Sequence, residues 1–561
     1  MRNALQKFLN ASGLRRPLSF IRESLSNPKS LGRELGHRRR FRDFAARYPW
    51  LSQLGRRDGK TVLVVSLFDL PFMIEYELAL VKALEAHGAR AVILAATRDR
   101  SYPYCRLFGH QDVLFFDDFV RDAESGPLKQ IESLDQFKTM DALRDYAYEG
   151  LRVGRHALSL VSRMLRQGRV TLANPKIRAA MDNLWPSLPP AVKATNAILD
   201  LVKPDTTFFL EIGYYPYGEL FEASLQRGID TIEWSGSHRL NGLNLKRYTR
   251  DTMEIHPQSL SPSTWERVKA EPWTPEKDAR LFRELNEHYE TGGFTNEERL
   301  QFGKKIKSKD EVIRQLGLDP AKKTAVIFSH ILWDATFFYG RDLFENYAEW
   351  LVETVRAAAA NPNLNWIVKM HPANAWKLKQ DGHVGELNET EIIEQSLGKL
   401  PPHIKFLDPY TDVNTFALFP ITDYCLTVRG TIGIEMPCYG IPAVVAGTGR
   451  YAGYGFTNEF SSAKEYLDTL AHLQDVPRLD AARTELAKKH AHALFVRRAL
   501  DLKSIEVVMH TDEQSGGLTE RDTLIRAASL QEFGGKPDIR ALADWVLTST
   551  EPDYLTPGQN G

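Results

Sequence analysis

Between His330 and Arg450 the chain repeatedly ends an apolar run on residues able to bind or move charge. KTAVIFSH stops at His330, NWIVKMHP at Lys369, His371 and Pro372, and CLTVRGT at Arg429, Gly430 and Thr431. IPAVVAGTGR stops at Arg450. Ammonium, imidazole, guanidinium and hydroxyl groups gathered in this way suit one task above others, holding a phosphate and stabilising it as it leaves. Gly430 lets the backbone come close to such a group. The first N–H groups of the following helix add donors, and Glu435, one turn in, stands where a carboxylate meets sugar or ribose hydroxyls. The same residues also fit a plainer strand-to-helix turn, with Thr431 as N-cap and Glu435 at the surface. A single histidine is more often structural than catalytic. The weight of the first reading lies in several such clusters sharing one edge.

Short runs of Val, Ile and Leu with little alternation are strands buried on both faces, the habit of a parallel sheet with helices on each side. Ligands of such sheets lie beyond the carboxyl ends of the strands, where these clusters fall. The earlier half has the same grammar. TVLVVSLFD, an amphipathic helix over 75–89 and ARAVILAAT form a βαβ unit, and DVLFFDD adds a third strand. The turn Phe68-Asp69-Leu70-Pro71 carries no glycine fingerprint, which excludes a dinucleotide loop there. Residues 127–200 are expected to be helical. Strand, loop, helix, strand order then returns, with Glu211 and Gly213 at a strand's carboxyl end. The expected fold is α/β, two doubly wound sheets facing each other across a cleft. The domains run over 59–254 (with the helical insertion at 127–200) and 321–511, joined by a helical connector at 255–320 and followed by a polar tail at 512–561.

Lys and Arg (72) balance Asp and Glu (72), so no overall field favours nucleic acid, and none is expected as a partner. The balance is local rather than uniform. Residues 1–58 carry 14 Lys/Arg against 4 Asp/Glu, including the cluster His37–Arg42. This segment is expected to be a basic helical arm, read either as packed on the body or as docked on an anionic membrane surface. Three cysteines without metal or disulfide spacing imply a reducing, cytoplasmic setting. No apolar run is long enough to span a bilayer. HExxH, DxD-type pairs and His/Cys clusters are absent, so no metal is expected. G-x-S-x-G is absent too, which disfavours a serine hydrolase.

K-x-H-P followed by T-x-G-x-E before a GIPAVV strand resembles the capsule polysaccharide biosynthesis family, GT-B-type glycosyltransferases related to the bacterial Kdo transferases. The resemblance covers roughly 323–454. It implies a GT-B-like fold of two Rossmann-like domains, with no cofactor beyond the nucleotide sugar itself. It also implies donor contacts from His371 and Pro372 and from Thr431, Gly433 and Glu435. Gly430 stands where the family commonly has serine, which leaves the nucleotide open between CMP and UDP or GDP. The expected activity is metal-independent transfer from a nucleotide sugar to a surface-polysaccharide or lipid-linked acceptor. His371, Arg429, Gly430, Thr431 and Lys369 would stabilise the leaving phosphate, with His330 and Arg450 completing the donor ring. The acceptor's base should come from the first domain, and the candidates are Glu211, then Asp69, then His238. A sugar-nucleotide 2-epimerase, an alcohol-phosphate transferase and a non-catalytic assembly protein are the alternatives.

Overall fold

Two sheets carry the molecule, and each is covered by helices on both faces. The computed structural model describes residues 28–68, 70–97, 101–291, 304–371, 389–511 and 518–556. The first sheet contains β1 (Thr61–Ser66), β2 (Arg90–Ala95), β3 (Val113–Phe115), β4 (Thr206–Phe209), β5 (Asp230–Gly236), β6 (Gly242–Tyr248) and, from far along the chain, β12 (Leu500–Asp501). Their order is β12-β6-β5-β4-β1-β2-β3, parallel from β5 to β3 and antiparallel at β6 and β12. The second sheet contains β7 (Thr324–Phe328), β8 (Asn365–Lys369), β9 (Ile404–Leu407), β10 (Tyr424–Thr427) and β11 (Ala443–Val445), all parallel, in the order β11-β10-β7-β8-β9. Both sheets start in the middle, step outward twice, then return to the other side of the first strand. Each therefore has a point where the winding reverses, between β1 and β4 and between β7 and β10. This is the GT-B-like pair of doubly wound domains expected from the sequence.

The burial pattern explains the unbroken apolar runs. Val62 and Val64 of β1 face the helix Pro71–Ala86, whereas Leu63 and Val65 face the helices Val153–Leu165, Leu188–Val202 and Tyr217–Gln226. In β7, Ala325 and Ile327 enter one core, and Val326 and Phe328 enter the other. Successive side chains point to opposite faces, so a strand sandwiched by helices must be apolar at every position. Where a helix needs a firm start, the sequence supplies it. Asn346 caps Tyr347–Ala360 by accepting the Glu349 N–H at 2.9 Å, and Asn361 with Pro362 ends it.

At the periphery the arm takes the packed one of its two expected readings, and the tail departs from expectation. From Arg40 onward the basic arm is part of the first domain. Within the helix Pro28–Arg47, Arg40 forms a two-pronged ion pair with the buried Glu75, at 2.8 and 2.6 Å. Phe44, Tyr48, Trp50 and Leu51 are buried in the core around the helix Pro71–Ala86. The arginines of this arm therefore divide, some inward to buried carboxylates and others, such as Arg38 and Arg39, outward to solvent. The correction concerns the expected polar tail. β12 joins the first sheet, and a hairpin of β13 (Ile505–Thr511) and β14 (Leu518–Ile525) follows it. The helices Leu530–Gly535 and Pro537–Thr548 then bury Phe533, Ile539, Leu542 and Val546 in the same core. Among the described residues, no helix is long and apolar enough to cross a membrane.

Replacing Arg40 with alanine leaves Glu75 buried without its counter-ion. The expected loss is ~3–5 kcal/mol of stability, the usual cost of breaking a buried pair from one side. Denaturant unfolding checks this, and an unchanged midpoint would show the arm to be dispensable.

Candidate active site at the carboxyl edge of the second sheet

The reversal between β7 and β10 opens a cavity of about 140 Å³. Its lining comes from the ends of β7 (Phe328, Ser329, His330), β8 (Lys369, Met370, His371) and β10 (Thr427, Gly430, Thr431, Ile432). Thr415 and two connector residues, His288 and Tyr289, complete it. The structure therefore gathers five of the sequence candidates, His330, Lys369, His371, Gly430 and Thr431, around one space. Pro372 and Asp69 lie outside the described residues.

Each lining group is held by an identifiable contact. The Nε2 atom of His330 accepts the Val428 N–H at 3.0 Å and lies 3.2 Å from the Thr427 hydroxyl. Its ring stacks on Tyr347, with centroids 4.8 Å apart. Burial, aided by Arg429 and Arg450, pushes its pKa down to about 3, so the imidazole is neutral and its proton sits on Nδ1. Lys369 is buried at the end of β8, and burial together with the nearby Lys304 pushes its pKa down to about 7. Glu389, at the start of the helix Glu389–Leu397, accepts the Ser329 hydroxyl at 2.8 Å and the His371 N–H at 3.2 Å. One carboxylate thus fixes the ends of β7 and β8 relative to each other.

The turn after β10 works differently from the helix-terminus site expected there. The helix Ile432–Glu435 is a single turn, too short for much of a dipole. The N–H groups of Gly433, Ile434 and Glu435 already bond to the Gly430 and Thr431 carbonyls at 2.8–3.1 Å. The Gly430 N–H donates to the Thr427 hydroxyl at 3.1 Å. Gly433 is required by packing, because a Cβ there would stand 2.3 Å from the Tyr451 hydroxyl. Glu435 is buried behind Tyr289, whose hydroxyl donates to it, and burial raises its pKa.

Arg429 is a correction. Its guanidinium turns away from the cavity, pairs with the buried Asp342 and donates to the Phe338 carbonyl at 2.6 Å. It pins the aromatic loop after β7 and does not present a free cation to a phosphate. Arg450 likewise reaches the connector, donating to Gln258 at 3.0 Å. Of the described first-domain candidates, neither Glu211 nor His238 is in the cavity lining, although the His238 ring packs on that of His288, with centroids 4.7 Å apart. Glu211 follows β4, where its Oε1 accepts the Ile212 and Gly213 N–H groups at 2.9 and 3.1 Å. Its carboxyl, 3.5 Å from Arg163, is pushed upward in pKa by burial. Gly213 beside it packs so closely on Phe338 that a Cβ would stand 2.4 Å from the ring. His238 lies 3.2 Å from Glu284, and burial lowers its pKa to about 4.

His238, Glu284 and His288 form a group with metal-ligand proximity that the sequence did not disclose, because His238 joins from far along the chain the Glu284 and His288 that share one turn of the helix Pro275–Thr291. Arg239 already grips both oxygens of Glu284, at 2.7 and 2.6 Å, which neutralises the carboxylate a cation would need. His288, Tyr289, Glu389 and Lys304 carried no signal in the sequence. Each sits on a helix or connector whose local pattern is ordinary.

No family model and no curated protein matches the chain. Among solved structures, it is similar to UDP-GlcNAc 2-epimerase from Neisseria meningitidis bound to UDP-GlcNAc, at 12% identity and TM-score 0.27, over 78% of this chain and 96% of that one. It is also similar to the spinosyn rhamnosyltransferase SpnG (12% identity, TM-score 0.25, 78% and 98% covered). A third is Anabaena Alr3699/HepE in complex with UDP-glucose (13%, 0.25, 78% and 94%). At these scores the likeness adds nothing to the strand orders above and says nothing of the reaction.

Two outcomes follow from this geometry. Arg429→Ala strands Asp342 in the interior and should cost ~3–5 kcal/mol of stability in denaturant unfolding; a stable variant with only weakened anion binding would restore the guanidinium to the cavity. Anion binding should also weaken as pH rises. Lys369 faces Glu389 and Lys304, with His288, His330 and His371 around the same cavity. The ammonium holds an anion and the neutral amine does not. Calorimetry with UDP between pH 6.5 and 9 should therefore show affinity highest below about 7 and falling by up to ~10-fold per unit above it. A flat profile would exclude Lys369 from anion binding.

Proposed function

We propose that the chain is a GT-B-type glycosyltransferase. It would take a sugar from a nucleotide-sugar donor seated at the carboxyl edge of the second sheet. The acceptor, a hydroxyl of a surface-polysaccharide or lipid-linked glycan, would enter from the first domain. One observation carries this reading. The cavity at the β7/β10 reversal is where a doubly wound sheet binds its ligand, and it is lined by an ammonium, two strand-end histidines and several hydroxyls.

In the proposed reaction an acceptor oxygen attacks the anomeric carbon. The bond from that carbon to the phosphate oxygen breaks, and the electron pair leaves with the nucleotide. Lys369 and His371 stabilise the charge that develops on the phosphate, in a site poor in water. The neutral His330, whose Nε2 is committed to the Val428 N–H, offers its Nδ1–H as a donor and does not act as a base. Glu211 takes the acceptor's proton. Its pKa, raised by burial, and its anchoring by two N–H groups suit a carboxylate that must accept a proton and later release it. These cationic side chains are proposed to serve without a metal ion.

The test is a panel of nucleotide sugars, with lipid-linked glycan as acceptor. Acceptor-dependent release of free nucleotide, unchanged by chelator and lost in His371→Ala with the melting temperature retained, is the expected result. A sugar epimerised without acceptor, its nucleotide still attached, would replace transfer with epimerisation. Failure of every nucleotide sugar to bind would overturn the reading altogether.

A further inference from the structure

A second lysine, half-buried, stands at the same sheet edge outside the cavity lining, and neither the strand-end clusters nor the family resemblance pointed to it. Lys304 is in the connector, whose segment is laid against the loop after β9. The Lys305 N–H donates to the Asp412 carbonyl at 2.6 Å, and the Asn414 N–H donates to the Lys305 carbonyl at 2.9 Å. Lys307 pairs with Asp412. This pairing delivers the Lys304 ammonium to the carboxyl end of β9, where it donates to the Pro409 carbonyl at 3.2 Å. β9 is the neighbour of β8 in the sheet, and β8 ends on Lys369.

Two like charges have thus been brought to adjacent strand ends. Lys369 is buried and Lys304 half-buried, and each lowers its cost of burial by becoming neutral, Lys304 at about 8 and Lys369 at about 7. Among the described residues neither ammonium has a carboxylate within 4 Å. Glu389, the acid acting on Lys369, is already engaged by Ser329 and His371. Asp408, the acid acting on Lys304, accepts the Tyr410 N–H at 2.7 Å within its own turn. A buried ammonium with a second, half-buried one beside it costs free energy in the empty protein unless an anion completes the pair. Among the described residues Glu389 and Asp408 act on them only from a distance, each held by other donors.

We propose that Lys304 and Lys369 together count phosphates, so that the cavity takes a nucleoside diphosphate and discriminates against the monophosphate. This rests on the nucleotide-sugar reading above and extends it to a class of donor. Lys369, in the cavity lining, meets one phosphate. Lys304, one strand further along the edge, meets the other. The two amines stand at the ends of neighbouring strands, Lys304 reaching the Pro409 carbonyl just past β9, so one anion with two linked phosphates can meet both. A monophosphate satisfies one ammonium and leaves the other buried beside it. The Lys305–Val413 pairing is then a positioning element, since it is what holds Lys304 at the edge.

The experiment compares UDP with UMP, GDP with GMP and CDP with CMP by calorimetry at pH 7, on wild-type protein and on Lys304→Met. For the base that binds, the wild type should prefer the diphosphate by ten-fold or more. The variant should lose most of that preference through weaker diphosphate binding, while its monophosphate affinity and melting temperature stay within two-fold and a degree or two. Lys304→Arg should retain part of the preference. Equal affinity for mono- and diphosphate in the wild type, or a preference untouched in Lys304→Met, would overturn the inference while leaving the nucleotide-sugar reading in place. Absence of any nucleotide binding would defeat both. The wild-type comparison decides the matter even if the methionine variant fails to fold.

Discussion

The ion pair of Arg429 with Asp342 holds the two domains to a common geometry. Both side chains are buried, and they join the end of β10 to the loop that follows β7. That loop is then placed with little freedom. The Leu343 N–H donates to the Ala446 carbonyl and the Thr448 N–H to the Arg341 carbonyl, which lays the loop beside the end of β11. Its other flank enters the first domain. Phe338 fills the space above Gly213, Tyr214 meets Phe338 edge-on at 5.0 Å, and Arg155 donates to the Phe337 carbonyl while gripping Glu254. Glu254 in turn accepts the Gly340 N–H at 3.2 Å. A pair of this kind is weak evidence of net stability, because desolvating two charges costs nearly what their attraction returns. Its effect is on specificity of arrangement, since any other position of the loop leaves one charge buried alone.

Much of this was legible in the sequence, and the reason is periodicity. A strand covered on both faces must be apolar throughout, so where NWIV gives way to Lys369 and CLTV to Arg429 the strand's end is visible without coordinates. The cavity was placed correctly because a doubly wound sheet leaves only one crevice at its winding reversal. Side-chain direction was not legible. Arg429 looks like a phosphate ligand until Asp342, 87 residues earlier, is seen to claim it. Glu435 looks like a hydroxyl ligand until Tyr289, 146 residues earlier, covers it. Partners so distant leave no mark on local spacing. Gly433 fits a ligand motif equally well whether a phosphate or the Tyr451 phenol requires the missing Cβ.

The periphery was only partly legible for a related reason. A surplus of arginine in the arm fits a packed helix and a membrane-docked one equally, and the choice lies with Arg40, which answers a glutamate inside the helix Pro71–Ala86. That helix buries Glu75, Glu77, Lys82 and Glu85, polar residues that a helical-wheel reading assigns to solvent. They tolerate burial because distant segments satisfy several of them. Arg40 serves Glu75, and the carbonyls of Gln53 and Phe108 receive the Lys82 ammonium. In the tail the amphipathic helix is legible from its spacing, expected over Asp538–Leu547 and found over Pro537–Thr548, but its docking on the first domain left no local mark.

This explains why the chain returns to its first domain after completing the second. One face of the first sheet is covered by the arm and the helix Pro71–Ala86 and then by β13, β14 and the helices Leu530–Gly535 and Pro537–Thr548, while β12 extends the sheet itself. At the return, Arg498 enters the interior and pairs with Asp553, which also takes the Lys246 ammonium of β6 at 2.8 Å and the Ser261 N–H at 2.6 Å. One carboxylate therefore binds the sheet, the outgoing connector and the returning crossing. Until residues 498–553 are in place, Lys246 has no counter-ion and half of the first core lacks its cover. The first domain is then not an independent folding unit that the second merely follows. Domains that fold in order from the amino terminus each close their own core; here the first core closes last.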